Sequence, residues 1–104
     1  MNIEKRSIVI LTMMNKYIVT IGELCLERIV EYYIAYTKDS KEDLEWNDKF
    51  LNAVDEAIVD LYDNYKEDDE DWESFQEDMG IVRIEDWSEE DGDYYSIIYD
   101  ERNE

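Results

Sequence analysis

Residues 81–99 read IVRIEDWSEEDGDYYSIIY, and they decide whether the chain is purely helical or mixed. Two apolar segments, Ile81-Val82-Arg83-Ile84 and Tyr94-Tyr95-Ser96-Ile97-Ile98-Tyr99, flank Asp91-Gly92. Asp-Gly between β-rich runs signals a type I′ turn, because both central residues of that turn take positive φ. A tight turn there sets Ile84 opposite Tyr99 and Asp86 opposite Ile97. The spacing therefore predicts a C-terminal β-hairpin, with strands at about 81–88 and 93–99. Its face with Val82, Ile84, Tyr95, Ile97 and Tyr99 would cover the helices.

Upstream of this stretch the period is helical. Leu51, Val54, Ile58, Leu61 and Tyr65 follow a 3,4,3,4 spacing, which is a buried stripe, and Glu56, Asp60, Asp63 and Glu67 follow 4,3,4 on the far side. Ser40 is the expected N-cap of this helix, with Asp43 as a short capping-box partner. Asp68 or Asp69 caps a further helix in which Trp72, Phe75 and Met79 lie on one side, and Gly80 suits its C′ position. Tyr65, Trp72 and Phe75 are expected in the core.

The N-terminal run Ser7–Ile21, SIVILTMMNKYIVTI, is too short and interrupted to span a bilayer. Lys5 and Arg6 before it mimic a signal peptide, but no small-residue cleavage site follows. It reads as buried core, helix or hairpin. Ile10, Met14, Tyr17, Ile21 and Leu24 keep a 4,3,4,3 spacing that favours helix. Glu23–Tyr36 reads more firmly as helix, with Leu26, Ile29, Val30, Tyr33 and Ile34 on one side. Tyr32, Tyr33 and Tyr36 cover too wide an arc for all to be buried, which marks one or more as interface residues. Cys25, in apolar surroundings, reads as a small core residue. The expected fold is α+β: one mostly helical domain over residues 1–104, closed by the C-terminal hairpin.

Charge adds the functional argument. The chain has 104 residues and a net charge of −20, with no His, no Pro and one Cys. Direct binding to nucleic acid or an anionic membrane is excluded, since phosphate recognition needs Lys and Arg. The absence of His removes the commonest general base, a single Cys rules out an intrachain disulfide or thiolate zinc site, and no Gly-rich phosphate loop exists. Catalysis, metal and cofactors are therefore not expected. Disorder is excluded by a composition that is 44% apolar and 13% aromatic. Usage of Ile, Lys, Asn and Tyr typical of an AT-rich genome argues against a halophile's acidic coat.

The charge is also polarised. Residues 1–52 hold 9 acids and 7 bases, a net −2, whereas residues 53–104 hold 21 acids and 3 bases, a net −18. Residues 55–78 alone hold 12 acids and one base. As one continuous helix this segment would be about 36 Å long, a charge density near that of one DNA strand at about 3.4 Å per phosphate. Such crowding costs a few tenths of a kcal/mol per close pair, so retaining it points to cations supplied by a partner. An ordinary solvated face alternates its signs, and this one does not.

The stretch Glu67–Glu85, EDDEDWESFQEDMGIVRIE, combines an acid run, Trp72 with Phe75, Asp78-Met79 and β-type residues. It resembles the acidic-helix-then-strand segment of small, acidic, phage-encoded DNA mimics of the anti-restriction and anti-CRISPR type. The resemblance covers about a fifth of the chain. It implies that the acids near 67–78 occupy the arginines with which an RNA-guided nuclease reads its short duplex motif.

The leading expectation is thus a non-catalytic DNA-mimic inhibitor in the cytoplasm of a host bacterium. Its partner would be a basic DNA- or RNA-binding protein such as a CRISPR effector or restriction enzyme. The candidate binding residues are Glu56, Asp60, Asp63, Glu67, Asp68, Asp69, Glu70, Asp71, Glu73, Glu77 and Asp78, with Glu89, Glu90 and Asp91 extending the patch from the hairpin loop. An immunity protein against a basic toxin is the alternative, with Tyr32, Tyr36 or Trp46 as anchors. A calcium-dependent acidic module is a third, although both acidic loops fail the EF-hand pattern: residues 67–78 contain no Gly, and placing Gly92 at loop position six puts Trp87 and Ile98 where ligands are needed. A homodimer through the apolar N-terminal segment is a further expectation.

Overall fold

The computed structural model describes residues 14–26, 28–66, 71–92 and 94–103, apart from the side chains of Asp91 and Asn103. In chain order the elements are β1 (Asn15–Glu23), β2 (Glu31–Thr37), α1 (Lys41–Leu44), α2 (Asp48–Tyr65), α3 (Trp72–Asp78), β3 (Met79–Asp86) and β4 (Ser96–Asp100). Single 3-10 turns occupy Glu89–Asp91 and Glu101–Asn103. The fold is α+β, but not mostly helical. Strands of 9, 7, 8 and 5 residues take as much chain as helices of 4, 18 and 7.

The largest correction concerns residues 15–36, which form two antiparallel central strands instead of helix, with Ile18 facing Ile34 and Val19 facing Tyr33. The physical cause lies in the residue types. Ile18-Val19-Thr20-Ile21 and Tyr32-Tyr33-Ile34-Ala35-Tyr36-Thr37 are dominated by β-branched and aromatic side chains, which fit a pleated surface and crowd a helix. The helical 4,3,4,3 spacing survives only because Tyr17 and Ile21 share one face of a strand. The part of that spacing that rests on Ile10 lies outside the described residues.

The sheet order is β3-β1-β2-β4, and it overturns the C-terminal hairpin. Strands form close to the expected places, but β3 pairs antiparallel with β1 while β4 pairs parallel with β2. A β1–β2 hairpin has two open edges of unpaired backbone groups. Putting β3 on one and β4 on the other satisfies both, whereas a β3–β4 hairpin could dock on only one. Gly92 does take a positive φ of 76°, though after a 3-10 turn and not within a two-residue turn. The crossing from β3 to β4 passes the sheet face that the helices leave open. There Lys16 Nζ lies 3.6 Å from the Trp87 ring centre, and the Tyr32 and Tyr95 rings are 5.9 Å apart.

Both edge strands slip register. β3 skips Val82 and β4 skips Ile98 in the pairing, so Ile81 and Ile84, then Ile98 and Tyr99, all pack against the core. Ile97, expected to be covered, is exposed. A bulge shifts side-chain alternation by one, so strict period-two reasoning fails beyond it.

α2 follows its predicted stripe. Val54, Ile58 and Leu61 are buried with Phe50 and Ala57, Leu51 packs at the margin, and Tyr65 emerges exposed at the end. The caps explain the boundaries. Ser40 accepts from the Asp43 N–H, but over a single turn, and Asn47 then caps α2 by accepting from the Phe50 N–H. For α3 the cap is Asp71, which accepts from the Ser74 N–H at 2.7 Å; Asp68 and Asp69 lie outside the described residues. Gly80 is no left-handed C′ residue. The chain leaves α3 through extended Met79 directly into β3, and Gly80 lies under Leu24, whose Cδ1 would be 3.2 Å from an added Cβ. Cys25 is exposed in the β1–β2 connection, contrary to its expected burial.

A candidate acidic interaction face and a tyrosine cleft

Packing α2 on the sheet through Val54, Ala57, Ile58 and Leu61 forces the opposite side outward, and Glu56, Asp60 and Asp63 are exposed there. Tyr62 then positions α3. Its ring meets Trp72 and Phe75 edge-on, each at 5.3 Å, and Trp72 stacks with Phe75. These contacts bring Glu73, Glu77 and Asp78 of α3, all exposed, beside the C-terminal part of α2. Asp71 is partly committed as the α3 cap. Glu67, Asp68, Asp69 and Glu70 lie outside the described residues.

The acidic run is therefore not the single 36 Å rod of the helical extrapolation. It is two helices, broken after Tyr65 and restarted at Trp72. The ion pairs formed among the described residues draw on Glu23, Asp86, Glu85 and Asp100, not on the acids of α2 and α3. Lys66, the base within the run, holds its Nζ over the Tyr62 ring at 5.2 Å.

Glu89 and Glu90 do not join this face. Their turn follows Trp87, whose N–H donates to the Lys16 carbonyl, whereas α3 enters the sheet where Met79 pairs with Glu23. Lys16 and Glu23 are separated by about 24 Å at roughly 3.4 Å per strand residue. The candidate residues thus divide into a helical group and a distal pair. Asp91 belongs to the same distal turn by its backbone.

A second feature lies where α2 ends and β2 and β4 begin. It is an open cleft of about 460 Å³. Glu31, Tyr32 and Tyr33 come from the start of β2, Asp60, Asn64 and Tyr65 from α2, and Tyr94, Tyr95 and Ser96 from the entry to β4. Tyr65 donates its hydroxyl to Glu31 Oε1 at 2.7 Å, and this hydrogen bond, with the Glu31 charge, pushes the Tyr65 pKa up. Burial, then the charges of Glu31 and Asp60, does the same for Tyr33. Glu31 and Asp60 thus bear on the tyrosine hydroxyls of the cleft. Sequence reasoning marked Tyr32 and Tyr33 only as interface candidates. The doublets Tyr32-Tyr33 and Tyr94-Tyr95 were the visible signal, but the parallel β2–β4 pairing that joins them was not.

The other proposed anchors fare unevenly. Trp46 is exposed at the α1–α2 junction. Tyr36 is occupied within the molecule, with Arg102 3.4 Å and Lys16 5.4 Å from its ring centre. Residues 15–21 of the apolar N-terminal segment are largely enclosed in β1; residues 7–13 of it lie outside the described residues. Among the described residues, no group of three or more Cys, Asp or Glu side chains is placed to hold a metal ion. No described helix is long and apolar enough to cross a membrane. The chain matches no known protein family, no curated protein and no solved structure.

Proposed function

We propose that this chain is a non-catalytic inhibitor whose helical acidic face imitates the phosphate backbone of DNA and occupies the basic cleft of a nucleic-acid-binding protein. A bacterial defence nuclease is the target class, and the bacterial cytoplasm the site of action. One observation carries the proposal: Glu56, Asp60, Asp63, Glu73, Glu77 and Asp78 are exposed on two docked helices, while the ion pairs among the described residues use other acids. Carboxylates crowded this way repel one another until a cationic surface meets them, and they speed its approach through long-range attraction.

The test is retention of a DNA-binding protein from bacterial lysate by the immobilised full chain, with elution by duplex DNA. Wild type retains a nuclease that duplex DNA displaces. A variant carrying Asp60→Lys, Asp63→Lys, Glu73→Lys and Glu77→Lys loses it, with an unchanged circular dichroism spectrum. Equal retention by the folded variant overturns the proposal. Exposed Trp46 supports the immunity-protein reading, in which retention resists duplex DNA and fails in Trp46→Ala.

A further inference from the structure

The tyrosine cleft at the junction of α2, β2 and β4 has a composition that selects its ligand. Among the described residues, five tyrosines and two carboxylates, Glu31 and Asp60, line it, and no Lys or Arg does. Aromatic faces attract cations through the ring quadrupole, and carboxylates do so through charge. The volume of about 460 Å³ lies within the ordinary range for ligand sites, roughly 300–1,000 Å³. A hard metal ion is a poor match, because such ions require about six or more oxygen ligands, and one oxygen of Glu31 already accepts from Tyr65. An anion would meet like charge. A planar, weakly hydrated guanidinium fits best, since it stacks on rings and forks onto carboxylates.

We propose that this cleft receives one arginine side chain of a protein partner. Tyr33 and Tyr65, on the α2 side of the sheet with Glu31 and Asp60, present the aromatic surface. Asp60 and the remaining oxygen of Glu31 accept the guanidinium hydrogen bonds. The Tyr65 hydroxyl holds Glu31 in place, so the carboxylate need not be ordered when the ligand arrives. Tyr94, almost fully exposed at 96%, stands at the mouth. Asp60 belongs both to this cleft and to the exposed acids of α2, so a partner drawn to the acidic face reaches the cleft without reorienting. The inference rests on the reading of the partner as a basic protein, and it adds a specific anchor to an otherwise diffuse attraction.

The experiment is a titration of the full chain, labelled on its tyrosine rings, followed by nuclear magnetic resonance at fixed ionic strength. The probes are N-acetyl-arginine amide, its uncharged isostere N-acetyl-citrulline amide, and free guanidinium ion. The arginine probe shifts the Tyr33 and Tyr65 ring signals saturably, and citrulline does not. Asp60→Asn weakens binding about fivefold, the scale of one carboxylate contact to a partly exposed cation. Asp55→Asn, on the same helix outside the cleft, leaves it unchanged. Absence of saturation, equal shifts with citrulline, or equal effects of the two Asn variants each overturn the inference. Tighter binding of free guanidinium than of the arginine probe also overturns it and points to a small-molecule ligand. These outcomes are independent of the lysate experiment: arginine binding without a DNA-displaceable partner sinks the inhibitor reading alone, and a DNA-displaceable partner without arginine binding sinks the cleft alone.

Discussion

The hairpin β1–β2 and the helix α2 are both rich in Ile, Val, Leu and Tyr, yet only the helix shows a period in its residue order. α2 touches the core on one side and water on the other, so apolar and acidic residues must alternate with its turn. The two central strands are covered on both faces. Tyr17, Val19, Ile21 and Ala35 join the helix-side core, while Ile18 and Ile34 are buried on the opposite face at 7% and 3% exposure. A strand enclosed on both sides has no polar face, hence no alternation to read. Periodicity reports the boundary with water and is silent where there is none.

Breaking this contrast is straightforward, and the largest effect is expected in the sheet. Ile34→Ala on the face opposite the helices should destabilise by about 2–5 kcal/mol, as much as Ile21→Ala on the helix face. Urea unfolding of both variants checks this, and a cost below about 1 kcal/mol for Ile34→Ala would show that the second face is no core. Gly22→Ala comes next. Its Cβ would meet Val30 Cγ2 at 2.9 Å and the Ile29 carbonyl at 3.3 Å, and overpacking of this kind costs about 1–3 kcal/mol.

The helix should be more forgiving. Asn47→Ala removes the α2 cap and should cost about 1 kcal/mol, visible as a lower urea midpoint at constant slope. Asp63→Asn on the exposed side should be neutral or stabilising by a few tenths of a kcal/mol, because it relieves like-charge crowding. A loss above about 1 kcal/mol would mean that Asp63 has a structural partner.

The last effect is expected at alkaline pH and comes from Tyr17. Its pKa is raised, first by burial and then by Asp86, Glu42 and Asp39, so above about pH 10 the unfolded chain releases the proton first. The unfolded state then binds fewer protons than the folded one, and stability falls as pH rises toward the folded-state pKa. Tyr17→Phe removes that contribution to the alkaline loss. At neutral pH it costs only the hydrogen bond to the Asp39 carbonyl, so the drop in unfolding midpoint above pH 10 should be shallower than in wild type.

The pattern of success follows the same physics. The α2 stripe, the Ser40 cap, the existence of strands near 81 and 97 and the exposure of Glu56, Asp60 and Asp63 were all legible, because each depends on neighbours within about one helical turn or on contact with water. Cys25 was misplaced because its apolar surroundings turned out to be a connection, not a helix. The acids fared differently by location: those of α2 and α3 are united by Tyr62 against Trp72 and Phe75, while Glu89 and Glu90 were separated from them by strand pairing that no local rule encodes.

By itself, the residue order determined a polarised chain with no His and a single Cys: a near-neutral apolar half, an acidic half and one strongly amphipathic helix. These are properties of composition and short spacing, and they hold in any fold. Only the tertiary structure decided that β3 and β4 flank the hairpin instead of pairing with each other, that the acids form a helical group and a distal pair, and that two tyrosine doublets 62 residues apart line one cleft with Glu31 and Asp60. The reason is energetic. Strand partners are chosen by which unpaired backbone edges and apolar faces are left over after every other element has docked, and that remainder belongs to the whole chain.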